Sequence, residues 1–255
     1  MMKYSWKSKV YTLISCIFFI ISWQIIALLI NNDIYLPTIG KVLKEIKEII
    51  INNNFTRIII SSFYRTLYSY IIALILAMIL GIFSIVYPFF KYLILPLNSF
   101  AKTIPTMVLV VLALVWFDKD KAPFIVGFAI TFPILFEGVR NAIMQIDKKI
   151  IDMTKIYEVS VIDKINKIYI PVMKFYFMNI FVSTFSLTFK VVIAGEVHGQ
   201  PKYGIGSQIQ LEKVNFNTSG IFAWIILIVL MSLLFELINK LIKKKVYRWK
   251  NEYNN

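Results

Sequence analysis

Few side chains in this sequence could do chemistry, and their spacing argues against an enzyme. His198 is the only histidine and Cys16 the only cysteine, which excludes a multi-histidine metal site and an internal disulfide. Intramembrane hydrolysis would need His, Glu, Asp or Ser gathered at one depth, and the acids here are scattered. No catalytic residue, metal ligand or cofactor is assigned. Cys16 is read as a small apolar filler and His198 as an exposed loop residue.

What remains is a small set of charges and prolines inside apolar runs. Lys190 lies deep in one of them, where an ammonium is expensive unless something compensates it. It lines a wet path, pairs with an acid on another segment, or snorkels. Glu196, six residues on, falls on a different helical face, so a local pair is not expected. Glu137 and Arg140 are three apart and read as a local i, i+3 pair. Pro105 and Pro133 each interrupt a short apolar run. A proline frees a backbone carbonyl, which at membrane depth is tolerable only against protein or a wet cavity. These runs either face a transport path or are kinked for packing.

The elements that hold these residues are membrane spans. The chain has 255 residues, of which 58% are hydrophobic, more than a soluble domain of this size can hide. Val10–Ile30, Thr66–Pro88 and Val214–Phe235 contain no charged residue. At about 1.5 Å per residue each is long enough to cross roughly 30 Å of hydrocarbon. The first run is long for a signal sequence and no small-residue cleavage site follows it, so it is read as a retained span. The expected architecture is an all-α membrane protein of about six helices in one transmembrane domain. The spans fall near residues 10–30, 66–88, 103–117, 122–139, 171–195 and 218–237, with a basic loop over 141–170. Between the first two, Val42, Leu43, Ile46, Ile49 and Ile50 share one helical face opposite Lys41, Lys44, Glu45, Lys47 and Glu48. That pattern predicts an amphipathic helix on the outer interface.

The net charge of +14 invites a nucleic-acid partner, but its distribution excludes one. Lysines and arginines crowd at Lys3, Lys7 and Lys9, through the central loop, and behind the last span from Lys240 to Lys250. These are the places that the positive-inside rule fills. Both termini and the central loop are expected in the cytoplasm of a multi-pass cell-membrane protein, with anionic lipid as a contact.

The central loop carries the most information. Val161, Ile162, Ile165 and Ile168 are spaced for one face of a short helix, with Asp163, Lys164, Asn166 and Lys167 as the polar remainder. Such a helix lies on lipid or docks its apolar face in a groove on a soluble partner. The loop resembles one found in permeases of binding-protein-dependent ABC importers: Glu-Ala-Ala, three residues, Gly, nine residues, Ile, any residue, Leu, Pro. Aligned on Pro171, Ile168 and Ile170 take the Ile and Leu places, Asp152 the Glu, Met153 and Thr154 the two Ala, and Glu158 the Gly, without a gap. A glycine there allows positive φ. With Glu158 the turn is expected to stay right-handed, or the loop to be shaped differently.

The resemblance covers nearly the whole chain and points to the branch that imports aliphatic sulfonates, taurine, nitrate and thiamine-precursor-like molecules. It is carried by Leu36-Pro37-Thr38, Ser62-Phe63-Tyr64-Arg65, Ile104-Pro105-Thr106 running to Val115-Trp116-Phe117, Phe132-Pro133-Ile134-Leu135, and Ala194-Gly195-Glu196 followed by Gly204-Ile205-Gly206. It implies a type I ABC importer permease fold and a permease homodimer. It also implies an extracytoplasmic solute-binding protein and a separate ATP-binding subunit that seats the loop through Asp152, Glu158, Val161, Ile162, Ile165, Ile168 and Pro171. No Gly-rich phosphate loop ending in Lys-Ser or Lys-Thr occurs in this chain. Lys190 stands where the resembled family has a neutral residue. Glu196 matches its acid at the outer end of the fifth span, where it either holds the outer loop or gates the path.

Three rivals share parts of this pattern. An intramembrane enzyme lacks its residues here. A secondary transporter has more spans and a detectable repeat. The transmembrane subunit of an energy-coupling vitamin importer docks ATPases through Ala-Arg-Gly elements, and none occur here.

Overall fold

The computed structural model describes residues 6–246, with side chains from 10 to 241. The side chains of Lys3, Lys7 and Lys9 and of the basic tail from Lys243 to Lys250 lie outside the described ones. Every regular element among the described residues is helical. In chain order they are α1 (Trp6–Ile30), α2 (Ile39–Ile51), α3 (Phe55–Val86), α4 (Pro88–Thr103), α5 (Thr106–Trp116), α6 (Ala122–Met144), α7 (Lys148–Ile156), α8 (Val161–Lys164), a π-helical turn (Ile165–Tyr169), α9 (Ile170–Gly199), α10 (Ile205–Val214) and α11 (Thr218–Val246).

Five helical segments are long and apolar enough to cross a membrane: Val10–Ile30, Phe55–Val86, Ala122–Met144, Val161–Gly199 and Thr218–Leu241. The sixth expected span is a broken one. Its 103–117 stretch contains α5, whose 11 residues reach only ~16 Å, about half the hydrocarbon thickness. It becomes a span only together with α4, from which it is bent by 103°. Pro105 causes the break. It has no N–H to continue the helix, and it pushes the residue before it into extended backbone; Ile104 has φ −70° and ψ 124°. Pro105 therefore caps α5 instead of kinking a span from within.

The other helices overrun the uncharged stretches because a helix does not stop where charge begins. α3 starts at Phe55 and carries Arg57 and Arg65 in its first half. α6 continues to Met144, which shortens the 141–170 loop. The run from Val161 to Gly199 is helical throughout.

The chain forms two compact units, Met1–Thr56 with Gln208–Leu230, and Arg57–Ser207 with Met231–Asn255. In the first, the turn after α1 is tied by side chains. Trp23 Nε1 donates to the Pro37 carbonyl at 2.9 Å, and Gln24 Oε1 accepts from the Ile39 N–H at 3.1 Å. Thr218 Oγ1 donates to the Ile34 carbonyl at 2.7 Å. α2 buries Val42 and leaves its charged side exposed.

In the second unit α6 packs along α9. Leu135, Phe136, Val139, Met173 and Phe185 are buried in its core. Polar pairs cross between helices at depth: Thr131 with Thr188 at 2.7 Å, and Tyr70 with Thr184 at 3.1 Å. Each satisfies hydroxyls that lipid could not. Pro133 is buried inside α6, among these packed side chains.

Candidate functional site

Three places collect the residues that matter. The first is Glu196, near the end of α9 and fully buried. Ser62 Oγ donates to its Oε2 at 2.7 Å, the Gly206 N–H donates to the same oxygen at 3.0 Å, and Arg65 Nη1 donates to Oε1 at 2.8 Å. Ser62 in turn accepts from the Ile205 N–H at 2.8 Å. Arg65 also donates to the Tyr203 carbonyl at 2.8 Å and to the Asp120 carbonyl at 3.2 Å. The Arg57 guanidinium lies 4.0 Å above the Tyr203 ring, a cation–π contact. A Cβ on Gly204 would meet the Glu196 carboxylate at 2.8 Å, and one on Gly206 would strike the Glu196 Cβ. The pairing of glycines and acid in this segment is thus a matter of space. Glu196 is enclosed by these partners. Ser62 and Arg65 were not singled out as site residues by type and spacing. The available signal was a cation at the edge of an uncharged run, three residues after a serine.

The second place is the loop between α6 and α9. Asp147 caps α7 by accepting from the Lys149 N–H at 2.8 Å. α7 ends in a Schellman turn: the Val159 N–H bonds the Thr154 carbonyl at 2.9 Å and the Glu158 N–H bonds the Lys155 carbonyl at 3.1 Å. Glu158 has φ +49°. The turn is therefore left-handed after all, with a glutamate doing what glycine does more cheaply. The two bonds that close the turn hold it there. Ser160 caps α8 and pairs with Asp163, its Oγ accepting from the Asp163 N–H at 3.1 Å and donating to Oδ2 at 2.7 Å. Lys167 pairs with the other Asp163 oxygen at 2.7 Å. The π-helical turn that follows sits where Pro171 cannot donate, and the Ile170 N–H reaches back to Ile165.

The apolar residues of this loop divide between two sides. Ile165 and Ile168 turn inward and pack on the core of the second unit. Val161 and Ile162 remain exposed, and so do Met153, Ile156 and Tyr157. The single face expected from Val161 to Ile168 does not exist as such, because the wider π turn rotates the later residues toward the core. Asp152 is bonded to Lys155 at 3.0 Å. Pro171 is half-buried in the first turn of α9.

The third place is the exposed side of α9. Lys190 is exposed, as are Asn179 and Ser183, and Tyr176 and Ser186 are half-buried. These five recur at steps of three and four along one helical face. Glu137 does not pair with Arg140: it pairs with Lys102 of α4. Arg140 is buried, with Nη2 3.8 Å from Met144 Sδ. The local i, i+3 expectation failed because α4 brings a better partner across. His198 is exposed on the last turn of α9.

A chain of apolar helices with a capped basic loop and a polar-faced span has the build of a multi-pass transport protein. Residues 74–248 match the binding-protein-dependent transport system inner membrane component family, and the chain belongs to that family. It is also similar to the putative aliphatic sulfonates transport permease protein SsuC of Bacillus subtilis (strain 168), with 22% identity over 237 residues that cover 91% of this chain and 84% of that protein. The protein is a permease subunit of an ABC importer in the cell membrane.

Two consequences follow from this geometry. Glu196→Gln and Arg65→Gln should each lower the thermal unfolding temperature in detergent, and the double variant should lose less than the sum. A coupling energy of about 2 kcal/mol is expected for such a pair. Simple additivity would show that the two do not act together. At the loop, Glu158→Gly relieves a left-handed cost of ~1–2 kcal/mol against an entropy loss of ~0.5–1 kcal/mol. Amide exchange at Val159 should slow several-fold; faster exchange would count against the strained turn.

Proposed function

We propose that this permease is driven by ATP hydrolysed on a separate subunit, which docks on the loop between α6 and α9. The observation that carries this is the apolar end of that loop. Met153, Ile156, Tyr157, Val161 and Ile162 are all exposed around the turn between α7 and α8, in a segment otherwise rich in charge. Large apolar side chains on an exposed turn next to lysines suit a groove on a soluble partner. The family supplies the kind of partner, an ATP-binding subunit, and also an extracytoplasmic solute-binding protein. Ile165 and Ile168 back this surface from inside and are not themselves anchors. Both termini and this loop are assigned to the cytoplasm on the strength of the basic residues.

The polar face of α9 supports the rest of the reading. Side chains such as Lys190 and Ser183 are costly against lipid, so this face is assigned to a wet path, with a second copy of the chain completing its wall. A cation and hydroxyls along that wall suit a small anionic solute, of the aliphatic sulfonate kind that the similar permease is named for.

Two variants test these assignments separately. Tyr157→Asp with Ile162→Asp should cost about 2 kcal/mol or more of docking, as for buried interface anchors. The protein should insert but no longer co-purify with the ATP-binding subunit; unchanged co-purification and uptake would overturn the docking surface. Lys190→Met keeps much of the side-chain length and removes the charge. Solute uptake in reconstituted vesicles should fall about tenfold, a loss of ~1.4 kcal/mol, with assembly intact. Normal uptake would remove Lys190 from the path.

A further inference from the structure

A groove of about 550 Å³ opens between α3, α9 and α11, on the side of α9 away from Lys190. Its wall runs from Leu67 to Met78 on α3 and from Ile170 to Phe181 on α9. The eleven steps from the first to the last of these residues rise ~16 Å, close to half of the roughly 30 Å hydrocarbon core. The groove is therefore about one leaflet deep. At depth its only polar group is the Tyr70 hydroxyl, which is already bonded to Thr184. At the other end stand Lys174, one turn into α9, and the Asn239 amide of α11. Lys174 has no ion pair among the described residues and is exposed. This is the end at which the basic 141–170 loop leaves the span.

An occupant must be apolar along one leaflet's depth and negatively charged where it reaches Lys174. We infer that the groove holds an acyl chain of an anionic phospholipid, with its phosphate at Lys174 and Asn239. A neutral solute would leave the ammonium unmatched. A second copy of the chain seated there is the rival that the cross-linking arm of the test decides. The polar side of α9 lies opposite, by the count of about 100° per residue, so the lipid seat and the solute path use different faces of one helix. The inference does not depend on the docking or solute assignments above.

The test is native mass spectrometry of the permease purified with its ATP-binding subunit and incubated with phosphatidylglycerol or phosphatidylethanolamine. Phosphatidylglycerol should be retained at least about fivefold over phosphatidylethanolamine, the ~1 kcal/mol expected of one lysine near an anionic headgroup. Lys174→Gln should abolish the preference, while Lys91→Gln, on α4, should preserve it. Leu74→Trp, which fills the groove, should reduce retention of both lipids. Equal retention of the two lipids by the unaltered protein, or a preference that survives Lys174→Gln, would overturn the inference. So would efficient disulfide-linked dimers of Leu74→Cys in a Cys16→Ser background, because a second copy would then cover the groove. If Leu74→Trp does not accumulate, the Lys174→Gln result decides alone.

Discussion

Three hydrogen bonds converge on one buried carboxylate, and each comes from a different stretch of chain or a different turn of α3. Ser62 and Arg65 bring α3 to the end of α9, and the Gly206 N–H brings the start of α10. Burying an ion costs several kcal/mol unless its lone pairs are filled and its charge is matched. Glu196 meets both conditions, and meeting them dictates much around it. Arg65 must turn inward, which places its remaining donors on Tyr203 and Asp120 and ties the turn before α6 to the same point. The backbone of Gly204 and Gly206 must come so close that no side chain fits. Remove the carboxylate, and the guanidinium, the serine hydroxyl and the Gly206 amide lose their common partner at once.

α9 is the element on which the functional assignments meet. Thr184 and Thr188 reach to α3 and α6 on the packed side. Lys190 and Ser183 stand on the exposed polar side. Ile170, Lys174 and Phe181 border the groove. Its hydrophobic pattern is consequently weak as a helical period, since Thr184 and Thr188 put hydroxyls on the packed side and Lys174 puts a charge beside the groove, as well as the polar stripe that carries Lys190. A span with three neighbours of different chemistry reads that way.

The spans could be recognised in the sequence because a run of twenty uncharged residues has few other uses. Val42 and its neighbours betrayed α2 by period alone. Pro105 announced a break, but a proline fixes only its own φ and the backbone before it. The 103° between α4 and α5 is set by what each packs on, which is not local. The same limit applies to charge. Glu137 and Arg140 look paired at three residues' distance, yet Lys102 arrives from 35 residues away. Arg65 and Glu196 are 131 residues apart, and nothing in either neighbourhood names the other. Glu158 in a left-handed turn is the opposite case. There the local preference was clear, and the two backbone bonds of the Schellman turn overrode it.

The unbroken helical run from Val161 to Gly199 is a lever. Its 39 residues make a rod of ~58 Å, with one soft joint at the π turn and Glu196 near its far tip. From Ile170 to Glu196 the arm is ~39 Å. A swing of about 5° at the joint carries the tip sideways by about 3 Å, whereas hydrogen bonds like those at Glu196 tolerate only tenths of an ångström. The bonds cannot stretch to absorb such a swing, and the buried ion makes breaking them costly. The Ser62–Arg65 turn of α3, the Asp120 turn and residues 200–206 must then ride with the tip as one piece, so a swing at one end of the rod emerges at the other as the displacement of a block.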